Sequence, residues 1–83
     1  MNTLLHFTPE WCAPCKKSQP IVDAFVANNN IDYKKIDVDE QLEMTKKYDI
    51  MMVPTFISVD GENIIARHHG VPSDEILKNL TGI

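Results

Sequence analysis

Between Thr3 and Val38 the hydrophobic period changes twice, and this restricts the possible folds more than any other feature of the chain. Thr3 to Phe7 is a short apolar run of strand length. From Pro14 onward Ile21, Val22, Phe25 and Val26 recur at one-and-four spacing, which marks one face of a helix, until Asn28-Asn29-Asn30 supplies a stop. Ile31 to Val38 then reads as a second strand. A strand, a helix and a strand in this succession pair their strands in parallel, with the helix crossing one face of the sheet.

The second half of the chain changes character. Asp39 is expected to cap a short helix from Glu40 to Tyr48. Pro54 precedes the β-like run Thr55 to Val59, and Asp60-Gly61 signals a two-residue hairpin into a last strand, Glu62 to His68. Gly70 and Pro72 break the chain, after which Ser73 can cap a helix that carries Ile76, Leu77 and Leu80 on one face. The order βαβαββα predicts an α/β fold with a mixed four-stranded sheet and three helices. Pro20 lies inside the first helix and predicts a kink there. No repeat or linker interrupts the 83 residues, of which 43% are hydrophobic, so residues 1–83 are expected to form one domain.

Charge and composition exclude some functions. With 8 basic against 12 acidic residues the formal charge is −4, which argues against generic nucleic-acid binding, since that usually needs a basic face. No apolar run approaches the roughly 18 residues that span a bilayer. Met1 to Phe7 has no positively charged start of the kind that precedes a secretory signal core. The expectation is a soluble, cytoplasmic monomer that binds neither nucleic acid nor membrane.

The chemistry concentrates in Cys12 and Cys15. A crosslink over so short a loop removes little entropy from the unfolded chain, so a purely structural bridge has little to recommend it. A zinc knuckle needs a second ligand pair, but the chain has only two cysteines, and His68 and His69 are adjacent rather than three to five residues apart. Two thiols at i and i+3, at the start of a helix that follows a strand, can instead open and close a disulfide within one turn. Unpaired backbone N–H groups and the positive end of the helix dipole favour a thiolate on the first sulfur. Cys12 is therefore the expected nucleophile, and Cys15, with less access to solvent, the resolving thiol. Lys16 and Lys17 read as a solvated helix face.

The segment Trp11-Cys12-Ala13-Pro14-Cys15 resembles the active-site motif of the thioredoxin family, with Ala13 where that family usually has glycine. Pro20 matches the proline that kinks its active-site helix, Val53-Pro54-Thr55 resembles its cis-proline loop, and Tyr48-Asp49-Ile50 and Gly70 fall in step. The resemblance implies a minimal thioredoxin fold and a protein-disulfide reductase. It also implies a substrate face formed by Trp11, Ala13, Pro14, Met52, Val53, Pro54 and Gly70, where the Val53 backbone pairs with an extended substrate segment. No cofactor would be bound. Reducing equivalents would come from NADPH through a thioredoxin reductase, and substrates would be disulfide-containing proteins such as ribonucleotide reductase. The small size also permits a glutaredoxin-like redoxin recharged by glutathione. Against that stand Trp11 before Cys12, the absence of an aromatic beside Pro14 between Cys12 and Cys15, and only a partial likeness of Gly70-Val71-Pro72-Ser73-Asp74 to the glutathione-binding region. A third reading is a binding subunit whose cysteines are incidental.

Two departures from the family pattern matter. Full-length thioredoxins begin with an extra strand and helix that have no counterpart in these 83 residues. His6 stands where the family usually carries a buried aspartate beneath the resolving cysteine, and Lys35 matches that aspartate's lysine partner. Strand alternation puts Leu4, His6 and Thr8 on one face and Leu5 and Phe7 on the other. Burial and a neighbouring ammonium both disfavour imidazolium, so His6 is expected to be neutral. It is then either a general base for Cys15, acting directly or through water, or a hydrogen-bonded core histidine. Met44, Met51 and Met52 are candidates for an adaptable apolar rim; Met44 fits ordinary helix packing equally well, and Met51 and Met52, just before Pro54, are better placed to contact a substrate. His68 and His69 carry no spacing signal and read as surface or core residues.

Overall fold

Leu4 and Phe56 point to one side of a sheet, and Leu5, Phe7, Ile57 and Val59 to the other, so two hydrophobic clusters form, one on each face. In the computed structural model, which describes residues 2–82, the elements are β1 (Thr3–Thr8), α1 (Ala13–Asn29), β2 (Asp32–Asp37), α2 (Leu42–Lys47), β3 (Thr55–Asp60), β4 (Asn63–His69) and α3 (Asp74–Thr81). The sheet order is β2-β1-β3-β4. β1 and β2 are parallel, and β3 is antiparallel to both β1 and β4. This is the expected mixed sheet of four strands.

Val22 and Phe25 of α1 and Leu77 and Leu80 of α3 close the first cluster over Leu4 and Phe56. Burying each such side chain fully contributes roughly 1.5–3 kcal/mol. On the opposite face Ile36 and Tyr48 complete the second cluster, against which Val38, Met44 and Ile50 pack. Met44 is thus a packing residue. The alternation expected along β1 is observed, with Leu4 in one cluster and Leu5 and Phe7 in the other.

Capping defines the helix ends. Cys12 is the N-cap of α1, and its Sγ accepts from the Cys15 backbone N–H at 3.3 Å. Asn30 ends the helix in the left-handed region at φ 51°, a conformation asparagine tolerates, and its N–H reaches the Val26 carbonyl. The helix runs through Pro20 without interruption; the missing proline N–H leaves the Lys16 carbonyl without its usual donor. Ser73 caps α3 as its sequence indicates, its Oγ accepting from Ile76 N–H at 3.2 Å.

Three boundaries differ from expectation. The hairpin turn is Gly61-Glu62 rather than Asp60-Gly61, because Asp60 still pairs with Asn63, and Gly61 takes the positive φ of +62°. β2 begins at Asp32 rather than Ile31, since Ile31 leaves the ladder to pack against the first cluster. α2 is shorter than expected and is not capped by Asp39; Gln41 occupies the N-cap position without a side-chain bond. The Asp39 carboxylate is occupied elsewhere.

Candidate active site

The register places four chain segments at one end of the sheet. Phe7 pairs with Thr55 and Thr55 with His69, while Thr8 pairs with Asp37. The turn leading to Cys12, the loop after β2, the Val53-Pro54 segment before β3 and the Gly70 turn after β4 therefore converge on the same edge. At this edge Cys12 and Cys15 are joined as a disulfide, with Cα atoms 5.2 Å apart. In this oxidised state both cysteines are almost fully covered, at 4% and 3% exposure, so solvent access does not separate their roles. Their positions differ: Cys12 holds its sulfur at the helix N-terminus and receives a backbone N–H, whereas Cys15 lies within the first turn.

Several of the segments around the pair expose apolar side chains. Trp11 is 71% exposed, and its indole Nε1 donates to the Asp39 carboxylate at 2.8 Å. Ala13 and Pro14 are exposed at the start of α1. Met51 and Met52 are exposed on the loop before the Val53–Pro54 bond, which is cis. Gly70, at φ +96°, donates its N–H to the Pro54 carbonyl at 2.9 Å and so ties the end of β4 to that loop. Val71 adds another exposed apolar side chain beside it.

Asp39 is the site residue that sequence reasoning misplaced. Its type and position suit a helix cap, and only the parallel pairing of β1 with β2 brings it to Trp11.

Beneath the pair lies an open cleft of about 440 Å³ lined by Thr8, Cys15, Gln19, Asp23 and Lys35 among others. Cys15 forms part of its wall. His6 does not line it. The imidazole has no exposed surface, stacks on Phe56 with ring centroids 4.3 Å apart, and pairs its Nδ1 with the Tyr33 hydroxyl at 2.8 Å. Among the described residues its Nε2 has no hydrogen-bond partner and no bond links His6 to Cys15. Burial, reinforced by the Lys35 ammonium and opposed by the Asp23 carboxylate, lowers its pKa from 6.5 to about 4. His6 is thus neutral near pH 7. Gln19 connects this buried pair to the surface, donating from Nε2 to Tyr33 Oη at 3.4 Å and to Asp23 Oδ1 at 2.7 Å. Lys35 is the register partner of His6 on β2.

The family model described as thioredoxin matches residues 1–82. The chain belongs to the thioredoxin family. Thioredoxin H2 of Arabidopsis thaliana is 32% identical over 79 residues, covering 94% of this chain and 59% of the relative. Thioredoxin-1 of Caenorhabditis elegans is 35% identical over 93% of this chain and 68% of its own length. The thioredoxin of Chlamydia pneumoniae is 33% identical, with coverages of 93% and 76%. This chain therefore spans between about three fifths and three quarters of these relatives. Among solved structures, the Nicotiana alata thioredoxin NaTrxh superposes with a TM-score of 0.90 at 29% identity, covering 98% of this chain and 71% of that one. Fasciola hepatica thioredoxin gives 0.89 at 26% identity, with coverages of 98% and 79%. The four-stranded sheet and three helices are thus the thioredoxin fold.

Proposed function

We propose that this chain is a thiol-disulfide oxidoreductase that reduces protein disulfides. The observation that carries this reading is the Cys12–Cys15 disulfide at the N-terminus of a 17-residue helix, on the same sheet end as the cis Val53–Pro54 loop. In the reduced protein the Cys12 thiolate attacks one sulfur of a substrate disulfide, forming a mixed disulfide and releasing the other substrate sulfur as a thiolate that takes up a proton. Cys15, as thiolate, then attacks Cys12 Sγ. The mixed disulfide breaks, the second substrate thiol leaves, and the Cys12–Cys15 bond seen here is the product. The helix dipole and the Cys15 N–H stabilise negative charge on Cys12 in the first step.

Trp11, Ala13, Pro14, Met52 and the Val53-Pro54 segment supply the face on which an extended polypeptide lies, with Gly70 closing one side. Lys35, at the cleft beside Cys15, favours the thiolate of the resolving cysteine during the second step. A thioredoxin reductase drawing on NADPH regenerates the dithiol, and disulfide-containing proteins such as ribonucleotide reductase are the substrates. A reducing compartment such as the cytoplasm suits this role.

The test is insulin reduction driven in parallel by NADPH with thioredoxin reductase and by glutathione with glutathione reductase. Turnover with the first system supports the proposal; turnover with the second alone overturns it in favour of a glutathione-dependent redoxin. Cys12→Ser abolishes turnover, and Cys15→Ser accumulates a mixed disulfide visible on a non-reducing gel.

A further inference from the structure

His69 is an exposed strand residue with no spacing signal, yet its Nδ1 lies 3.1 Å from Thr55 Oγ1. Thr55 follows the cis Val53–Pro54 bond directly, is fully buried, and is the register partner of His69. Its hydroxyl has a second contact, at 2.6 Å to the Met52 carbonyl oxygen. A carbonyl only accepts, so the one hydroxyl hydrogen of Thr55 must lie on that line. Thr55 therefore presents a lone pair to His69, and His69 donates from Nδ1–H. This fixes the neutral tautomer: Nδ1 carries the proton and Nε2 is bare.

The consequence passes through a planar peptide. Of the bonds in this loop only Val53–Pro54 is cis, so the Met52–Val53 unit is trans and its N–H points opposite to its carbonyl. Holding the Met52 carbonyl toward Thr55 aims the Val53 N–H away from it, and no described residue accepts a bond from that N–H. We infer that His69 is a positioning residue for polypeptide substrates: through the Thr55 hydroxyl it locks the Met52–Val53 peptide so that the Val53 N–H is presented to the backbone of an extended disulfide-bearing segment. His69 itself does not touch the reacting sulfurs.

This inference rests on the protein-disulfide reductase reading, and the experiment separates the two. Insulin reduction by the wild type establishes the reductase; the His69 variants are then compared with it. His69→Val keeps a β-favouring side chain but has no donor, and is expected to raise KM for insulin about fivefold, the worth of one neutral hydrogen bond, with kcat changed less than twofold. His69→Asn, which retains an N–H donor, is expected to return KM to within about twofold of wild type. In the Thr55→Val background His69→Val is expected to add nothing. An unchanged KM in His69→Val, no recovery in His69→Asn, or multiplying effects in the double variant each overturn the proposal. Independently of any variant's folding, long-range ¹H–¹⁵N spectra of the wild-type protein at pH 8 should show His69 protonated at Nδ1; an Nε2–H tautomer overturns it.

Discussion

Trp11 Nε1 donates to the Asp39 carboxylate, so the residue just before Cys12 is fastened to the loop after β2. A largely exposed indole is thereby held in one orientation without being buried. Charge-assisted bonds of this type are stronger than neutral ones, although exposure to water weakens this one. Asp39→Ala is expected to raise KM for a protein disulfide about two- to fivefold at unchanged kcat, as a neutral-to-charged bond lost in water would do. Asp39→Asn, which still accepts, should lie close to wild type. Steady-state insulin reduction checks both.

His6 makes stability depend on pH with a definite sign. Its folded pKa, about 4, lies below the unfolded value of 6.5, so unfolding binds a proton between these limits. The stabilisation is complete above pH 6.5 and is lost as pH falls toward 4. At 1.36 kcal/mol per unit the loss approaches about 3 kcal/mol. Urea unfolding at pH 7.5, 5.5 and 4.0 should show this decline, and His6→Asn should flatten that part of the curve.

The same depressed pKa sets an expectation for catalysis. A base whose pKa is lowered to about 4 is a poor acceptor for a thiol proton, and no hydrogen bond links His6 to Cys15 among the described residues. The pH profiles of disulfide reduction for wild type and His6→Asn are therefore expected to coincide between pH 5.5 and 8.5. A shift of the profile by half a unit or more would give His6 a part in proton transfer.

On α3 a cap and a core residue can be compared. Ser73→Ala removes the bond to Ile76 N–H and should cost about 1 kcal/mol. Leu77→Ala empties a fully buried position in the first cluster and should cost about 2–5 kcal/mol. Chemical denaturation of both variants tests the ranking, which reverses only if α3 contributes little beyond its cap.

Periodicity and turn chemistry made most of the fold legible. The change from a strand-like run to a 3.6-residue repeat located β1 and α1, and Ser73 marked α3 because its neighbours in sequence are also its partners in space. The cysteine pair was legible for the same reason, three residues being one helical turn. Asp39 was not. Whether an aspartate caps the next helix or holds a tryptophan 28 residues earlier is decided by strand pairing, which no local pattern records. His69 was passed over similarly: its bond to Thr55 spans 14 residues and exists only through the register of β3 and β4. The one-residue error in the hairpin arose because Asp60 remained in the ladder.

The N-cap of α1 is the sulfur of Cys12, the same atom that changes oxidation state. A thiolate is a stronger acceptor than a disulfide sulfur, so the bond from the Cys15 amide tightens when the protein is reduced and slackens when it is oxidised. That single proton is thus a built-in reporter. Its chemical shift and its rate of exchange with solvent track the electron content of the site directly, without a dye or a tag.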